Sequence, residues 1–68
     1  MLTAAETLDI IFTAIGTDDL FATEHTSHVA IAAQTASAWD CLKAACDAYG
    51  LDWMPVGHRA VWIDTVSL

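Results

Sequence analysis

The stretch LDWMPVGHRAVWIDTV, residues 51–66, decides how the chain is read. Two runs of alternating side chains flank Gly57-His58, the pattern of two strands joined by a tight turn. From Leu51 to Val56, Leu51 and Trp53 fall on one face and Asp52 and Met54 on the other. Pro55 has no N–H to give to a ladder, which places it at an edge or at the end of its strand. From Ala60 to Val66, Val61 and Ile63 point one way and Trp62 and Asp64 the other. The apolar face of such a sheet must be covered by another layer.

The covering layer is written upstream as helices. Thr3 and Glu6 have the spacing of a capping box, in which the Thr3 hydroxyl accepts from the Glu6 amide and the Glu6 carboxylate reaches back. Leu8, Ile11, Phe12 and Ile15 then form one apolar stripe at helical spacing, and Gly16 is placed to end the helix. Ile10 lies off that stripe and widens the apolar arc. Thr17-Asp18-Asp19 reads as a turn or second N-cap, residues 20–24 as a short helical turn, and His25 to Ser27 as loop. Val29, Ile31 and Ala33 alternate within a strand from His28 to Gln34. A second helix is expected from Ser37 to Tyr49, capped by Ser37 with Asp40, striped by Trp39, Leu42, Cys46 and Tyr49, and stopped by Gly50. Asp40, Lys43 and Asp47 fall on its other side at pairing distance. The expected fold is thus α+β, a single domain over residues 1–68 in the order α-β-α-β-β. It is a three-stranded sheet with both helices packed on one face and no internal repeat.

Composition sets further bounds. The chain has 68 residues, 56% of them hydrophobic and only 16% charged, which excludes a disordered acidic tail. A domain of this size buries only about 60% of its unfolded surface, so its stability margin is small. Beginning at Met1, it reads as a complete small reading frame. Nine Asp and Glu stand against Lys43 and Arg59, a formal charge of −7. Direct nucleic-acid binding requires a basic face, and anionic membranes repel an acidic one. The expected partner is therefore the basic surface of a protein or ribonucleoprotein complex, although the same charge would also serve solubility alone. No run approaches the ~20 apolar residues of a membrane span, and the N-terminal stretch lacks the basic start of a signal peptide. These features imply a cytoplasmic protein. Cys41 and Cys46 lie about 140° apart around a helix, which suits neither a disulfide nor a CxxC motif. Both are expected to be buried or half-buried thiols.

The text from Val29 to Val66, VAIAAQTASAWDCLKAACDAYGLDWMPVGHRAVWIDTV, resembles the STN module found at the N-terminus of secretins and TonB-dependent receptors. The likeness is a short strand, a helix with Ala and Leu at core spacing, Gly-Leu, an aromatic strand, a glycine turn and a β-branched strand. It implies an α/β fold. In size, charge and self-containment the whole chain also resembles the small acidic proteins of phages and mobile elements, among them anti-CRISPR proteins. That second resemblance implies stoichiometric inhibition of a CRISPR effector in a bacterial host cell, one route being to occupy, as a DNA mimic, the basic groove where target DNA lies.

The candidate partner-binding residues are Glu6 and Asp9 on helix one, Asp18, Asp19 and Glu24 grouped after it, and Asp52, Trp62 and Asp64 on the outer sheet face. Trp62 is the interface tryptophan, with Trp39 and Trp53 assigned to the core. His25 and His28 are spaced for a shared metal on a helix, but they lie in a loop without a second paired motif, so no metal is expected. Neither a cofactor nor catalysis is expected, because no nucleophile sits beside a base and no phosphate loop is present. Two functions remain: an acidic inhibitor that binds a nucleic-acid-handling complex, and an STN-like module that self-associates as a homodimer.

Overall fold

The computed structural model describes residues 1–67. Its elements run α1 (Ala4–Ile15), β1 (Leu20–Glu24), β2 (His28–Ala33), α2 (Ala36–Ala48), β3 (Trp53–Pro55) and β4 (Ala60–Asp64). The four strands form one antiparallel sheet in the order β1-β2-β4-β3. This corrects the expected three-stranded sheet and its order α-β-α-β-β. The fourth strand is Leu20–Glu24, which the sequence suggests is a helical turn. As an edge strand it buries only Leu20, so it carries none of the alternation by which a strand is recognised.

The order also contains a repeat, contrary to expectation. An α-β-β unit occurs twice, and exchanging β1 with β3 and β2 with β4 leaves the strand order unchanged. Each helix is capped by a threonine at its start. The Thr3 hydroxyl accepts from Glu6 N–H within a complete capping box, and the Thr35 hydroxyl accepts from Ala38 N–H. Thr35, not Ser37, is therefore the second cap. Gly16, at φ 91°, ends α1 in a conformation that favours glycine.

The core lies on one face of the sheet. Val29, Ile31 and Ala33 of β2 and Val61 and Ile63 of β4 point into it. They meet Ile11 of α1 and Ala38, Leu42 and Cys46 of α2. Both helices pack on this face and against each other. Leu8, Phe12, Ile15, Trp39 and Trp53 pack around the margin and are only partly buried.

The hydrogen-bond phase of the strands makes the two sheet edges unlike. Gln34 N–H donates to the Asp19 carbonyl, and His25 N–H to the His28 carbonyl, both at 2.9 Å. In an antiparallel ladder bonded pairs alternate, so odd-numbered residues of β1 face β2 and even-numbered ones face outward. On the other side, Asp64 N–H donates to the Asp52 carbonyl and Val56 N–H to the Ala60 carbonyl, both at 2.8 Å. Trp53 and Pro55 are then the outward positions of β3. Pro55 stands where an outward N–H would be, so that edge is closed by a short strand and a proline.

Two buried hydroxyls behave differently. Thr7 Oγ1 donates to the Thr3 carbonyl at 2.9 Å, while Thr65 Oγ1 is buried with no hydrogen-bond partner among the described residues. An unpaired buried hydroxyl costs about 1–3 kcal/mol. Replacing Thr65→Val should therefore raise stability by about 1 kcal/mol, read as a Tm increase of roughly 4–8 °C. Leu42→Ala empties the centre of the core and should cost about 2–5 kcal/mol in denaturant titration.

Candidate functional site

The face of the sheet turned away from the helices is open, and the strand registers decide what it displays. Thr23, Ala30, Trp62 and Met54 form one row across all four strands. Phe21, Ala32 and Ala60 form a second, and His28 pairs with Asp64 at the end. Phe21 is 67% exposed, Met54 55% and Trp62 44%, the largest apolar side chains on this face. The His28 ring lies 4.5 Å from that of His25, nearly parallel, and 4.6 Å from that of Trp62. Pairing geometry therefore builds a continuous aromatic stack, His25–His28–Trp62, with Met54 beside it.

Acids border the stack. At this end of the sheet the open-face row runs His25, His28, Asp64 and Asp52, the last two joined through their backbone bond, while Glu24 pairs with Val29 and so stands on the helix side. Asp52 and Asp64 also line an open cleft of about 310 Å³ with Met1, Leu2, Thr7 and Tyr49. The two cations are elsewhere. Lys43 lies over the Trp39 ring on α2 and 3.7 Å from Asp40, while Arg59 donates to the Gln34 carbonyl at the opposite end of the sheet.

Asp52, Trp62 and Asp64 are thus brought together on the outer face as expected, whereas Glu24, at the same sheet end, lies on the helix side. Asp18 and Asp19 are not at that end. They occupy the turn before β1, whereas Glu24 closes it, so the strand holds them about 17 Å apart. Glu6 and Asp9 are exposed on α1, in the other layer. The Glu6 carboxylate is already engaged: it accepts from Thr3 N–H at 3.0 Å and from the Thr3 hydroxyl at 2.9 Å. These bonds lower its pKa, those from the Thr3 backbone and side chain being the chief causes. His25, His28 and Phe21 were not among the expected surface residues. Reading β1 as a strand would have revealed them, since a hairpin through His25–Ser27 sets the histidines side by side.

The imidazoles stack and do not converge on a point. Among the described residues, no three His, Cys, Asp or Glu side chains are grouped to hold a metal ion. Among the same residues, no helix is long and apolar enough to cross a membrane. No family model, curated protein or solved structure matches the chain.

The cysteines divide, against the expectation that both are buried or half-buried. Cys41 is exposed and Cys46 fully buried, because only Cys46 lies on the α2 stripe that faces the sheet. Burial, with a contribution from the Asp47 charge, pushes the Cys46 pKa up from 9.0 to about 11. Cys41 should accordingly react with iodoacetamide in the native protein, and Cys46 only after unfolding. The raised value also has a sign in stability. Below pH 9 the thiol is neutral whether folded or unfolded. Between about 9 and 11 only the unfolded chain ionises it, so stability falls with rising pH, by about 2–3 kcal/mol across that window. Cys46→Ala should remove this component from a pH series of denaturant melts.

Proposed function

We propose that this chain is a small acidic binding protein of the inhibitor type, which seats its open sheet face on the basic surface of a nucleic-acid-handling protein complex. The observation that carries this reading is an exposed Trp62–His28–His25 stack with Asp64 and Asp52 at its margin and, among the described residues, no Lys or Arg beside it. An aromatic centre with a charged rim is the anatomy of a protein interface, and tryptophan is a frequent hot spot. The rim acids, like the net charge of −7, favour a partner rich in Lys and Arg. Such surfaces commonly serve to hold nucleic acid, and occupying one excludes its substrate. Bacterial cytoplasm, as the host compartment of a phage-encoded inhibitor, fits this role.

The spacing of the acids bears on how DNA would be displaced. Strands lie about 4.8 Å apart, so Asp64 and Asp52 stand about 5 Å from each other, and the next two places in the row are taken by His28 and His25. B-form DNA carries one charge per about 1.7 Å of axis. The rim is too sparse to reproduce a phosphate array, so exclusion relies on the aromatic face with the acids steering encounter. Catalysis has no part in this reading, and neither a cofactor nor direct nucleic-acid contact is invoked.

The test is capture of partners from bacterial lysate by the tagged protein at low and high salt, followed by DNA competition on the identified complex. Retention of a DNA- or RNA-binding complex that salt releases and DNA displaces is the expected result. Trp62→Ala should weaken capture by about 2 kcal/mol, roughly 30-fold, with the circular dichroism unchanged. Asp52→Asn with Asp64→Asn should mainly slow association and flatten its salt dependence. Capture insensitive to salt and to Trp62→Ala would overturn the assignment.

A further inference from the structure

The two edges of the sheet differ in a way that the open face does not explain. β3 is three residues long and has Pro55 at an outward position. β1 is five residues long, all but Leu20 exposed, and contains neither proline nor lysine. Its outward positions are Leu20, Ala22 and Glu24. The N–H groups of Ala22 and Glu24 and the Ala22 carbonyl therefore lie along an uncapped edge, ready to pair with another strand. Acids mark both ends of this edge, Asp18-Asp19 before it and Glu24 at its close.

We infer that β1 receives an extended segment of a partner protein by strand addition, and that the segment carries a Lys or Arg near each end, spaced to meet Asp18-Asp19 and Glu24. The inference rests on the preceding reading only for the sign of the partner's charge. Backbone pairing with Ala22 and Glu24 supplies register, and the terminal charges supply selectivity. Charge complementarity favours this occupant over a second copy of the chain. A two-fold β1–β1 pairing centred on Ala22 brings Glu24 of one copy diagonal to Asp18 of the other at both ends, like charge against like charge. Each copy would also bring a net charge of −7.

The experiment is amide hydrogen exchange, read by NMR, with a blocked seven-residue peptide of alternating threonine and valine bearing a lysine at each end. A second peptide replaces both lysines with glutamate. At a lysine-peptide concentration ten times its Kd, the Ala22 and Glu24 amides should exchange about tenfold more slowly. The glutamate peptide should give no protection. Ala22→Pro removes an outward N–H without touching the β2 ladder and should abolish the effect, with the β2 and β4 amides still protected. Should that variant unfold, Asp18→Asn, Asp19→Asn and Glu24→Gln together should weaken the lysine peptide at least tenfold. Trp62→Ala should leave peptide protection intact, which separates this edge from the open face. Absence of protection at Ala22, or equal protection by both peptides, overturns the inference. Concentration-dependent protection without peptide also overturns it, by identifying a second copy as the occupant. If the lysine peptide perturbs only the Trp62 face, the edge proposal falls while the sheet-face reading stands.

Discussion

The pairing of β2 with β4 holds this molecule together. Val29 faces Ile63 and Ile31 faces Val61 across that seam, and all four are fully buried. The seam joins the two α-β-β units, each of which contributes one hairpin and one helix. Alone, a unit of this size would be a helix beside a two-stranded hairpin, and an isolated hairpin is at best marginally stable in water. Joined, the units expose a single apolar surface to two helices, and Ile11, Leu42 and Cys46 close over it. A chain of 68 residues thereby obtains one core shared by both halves.

The same seam determines where the surfaces fall. Because β2 and β4 occupy the centre, β1 and β3 become the edges, and every side chain opposite the core is displayed on one continuous face. Trp62 and His28 are diagonal neighbours there, since Trp62 pairs with Ala30 and His28 with Asp64. Their contact follows from register, as do the stacking of His25 on His28 and the place of Met54 beside Trp62. The helices, by contrast, hold Glu6 in a cap, Lys43 against Trp39 and Asp40, and Asp47 against the Trp53 indole N–H, so most of their charges are already engaged. The acids best placed to meet another molecule lie on the sheet: Asp52 and Asp64 at one end, Glu24 at the end of β1, and Asp18-Asp19 at its start.

Much of the fold was legible because local chemistry and tertiary placement agreed. The Thr3–Glu6 capping box, the Gly16 stop and the alternation of Val61 and Ile63 each state their structure within a few residues. Leu20–Glu24 did not, because an edge strand need not alternate: Ala22 and Glu24 lie on the core side but project beyond the helices into water. Missing that strand concealed the repeat, the hairpin that stacks the histidines, and the separation of Asp18-Asp19 from Glu24. Ser37 competed with Thr35 for the second cap because both precede the helical stripe with suitable hydroxyls. The strand exit from Ala33 decided for Thr35. Cys41 and Cys46 share a helix, and only the angle at which α2 meets the sheet makes one inert and the other accessible.

The amino-acid sequence by itself determined the helix limits near their caps and glycines, the inward residues of the central strands, the exposure of Trp62 and Asp64, and the acidity of the whole. These depend on hydrogen bonds and periodicities that close within one element. Only the tertiary structure decided the number of strands, their order, which edge is guarded, and which acids are neighbours. Those depend on pairing between segments tens of residues apart, where an exposed edge strand gains its conformation from its partner's backbone and leaves almost no trace in its own side chains.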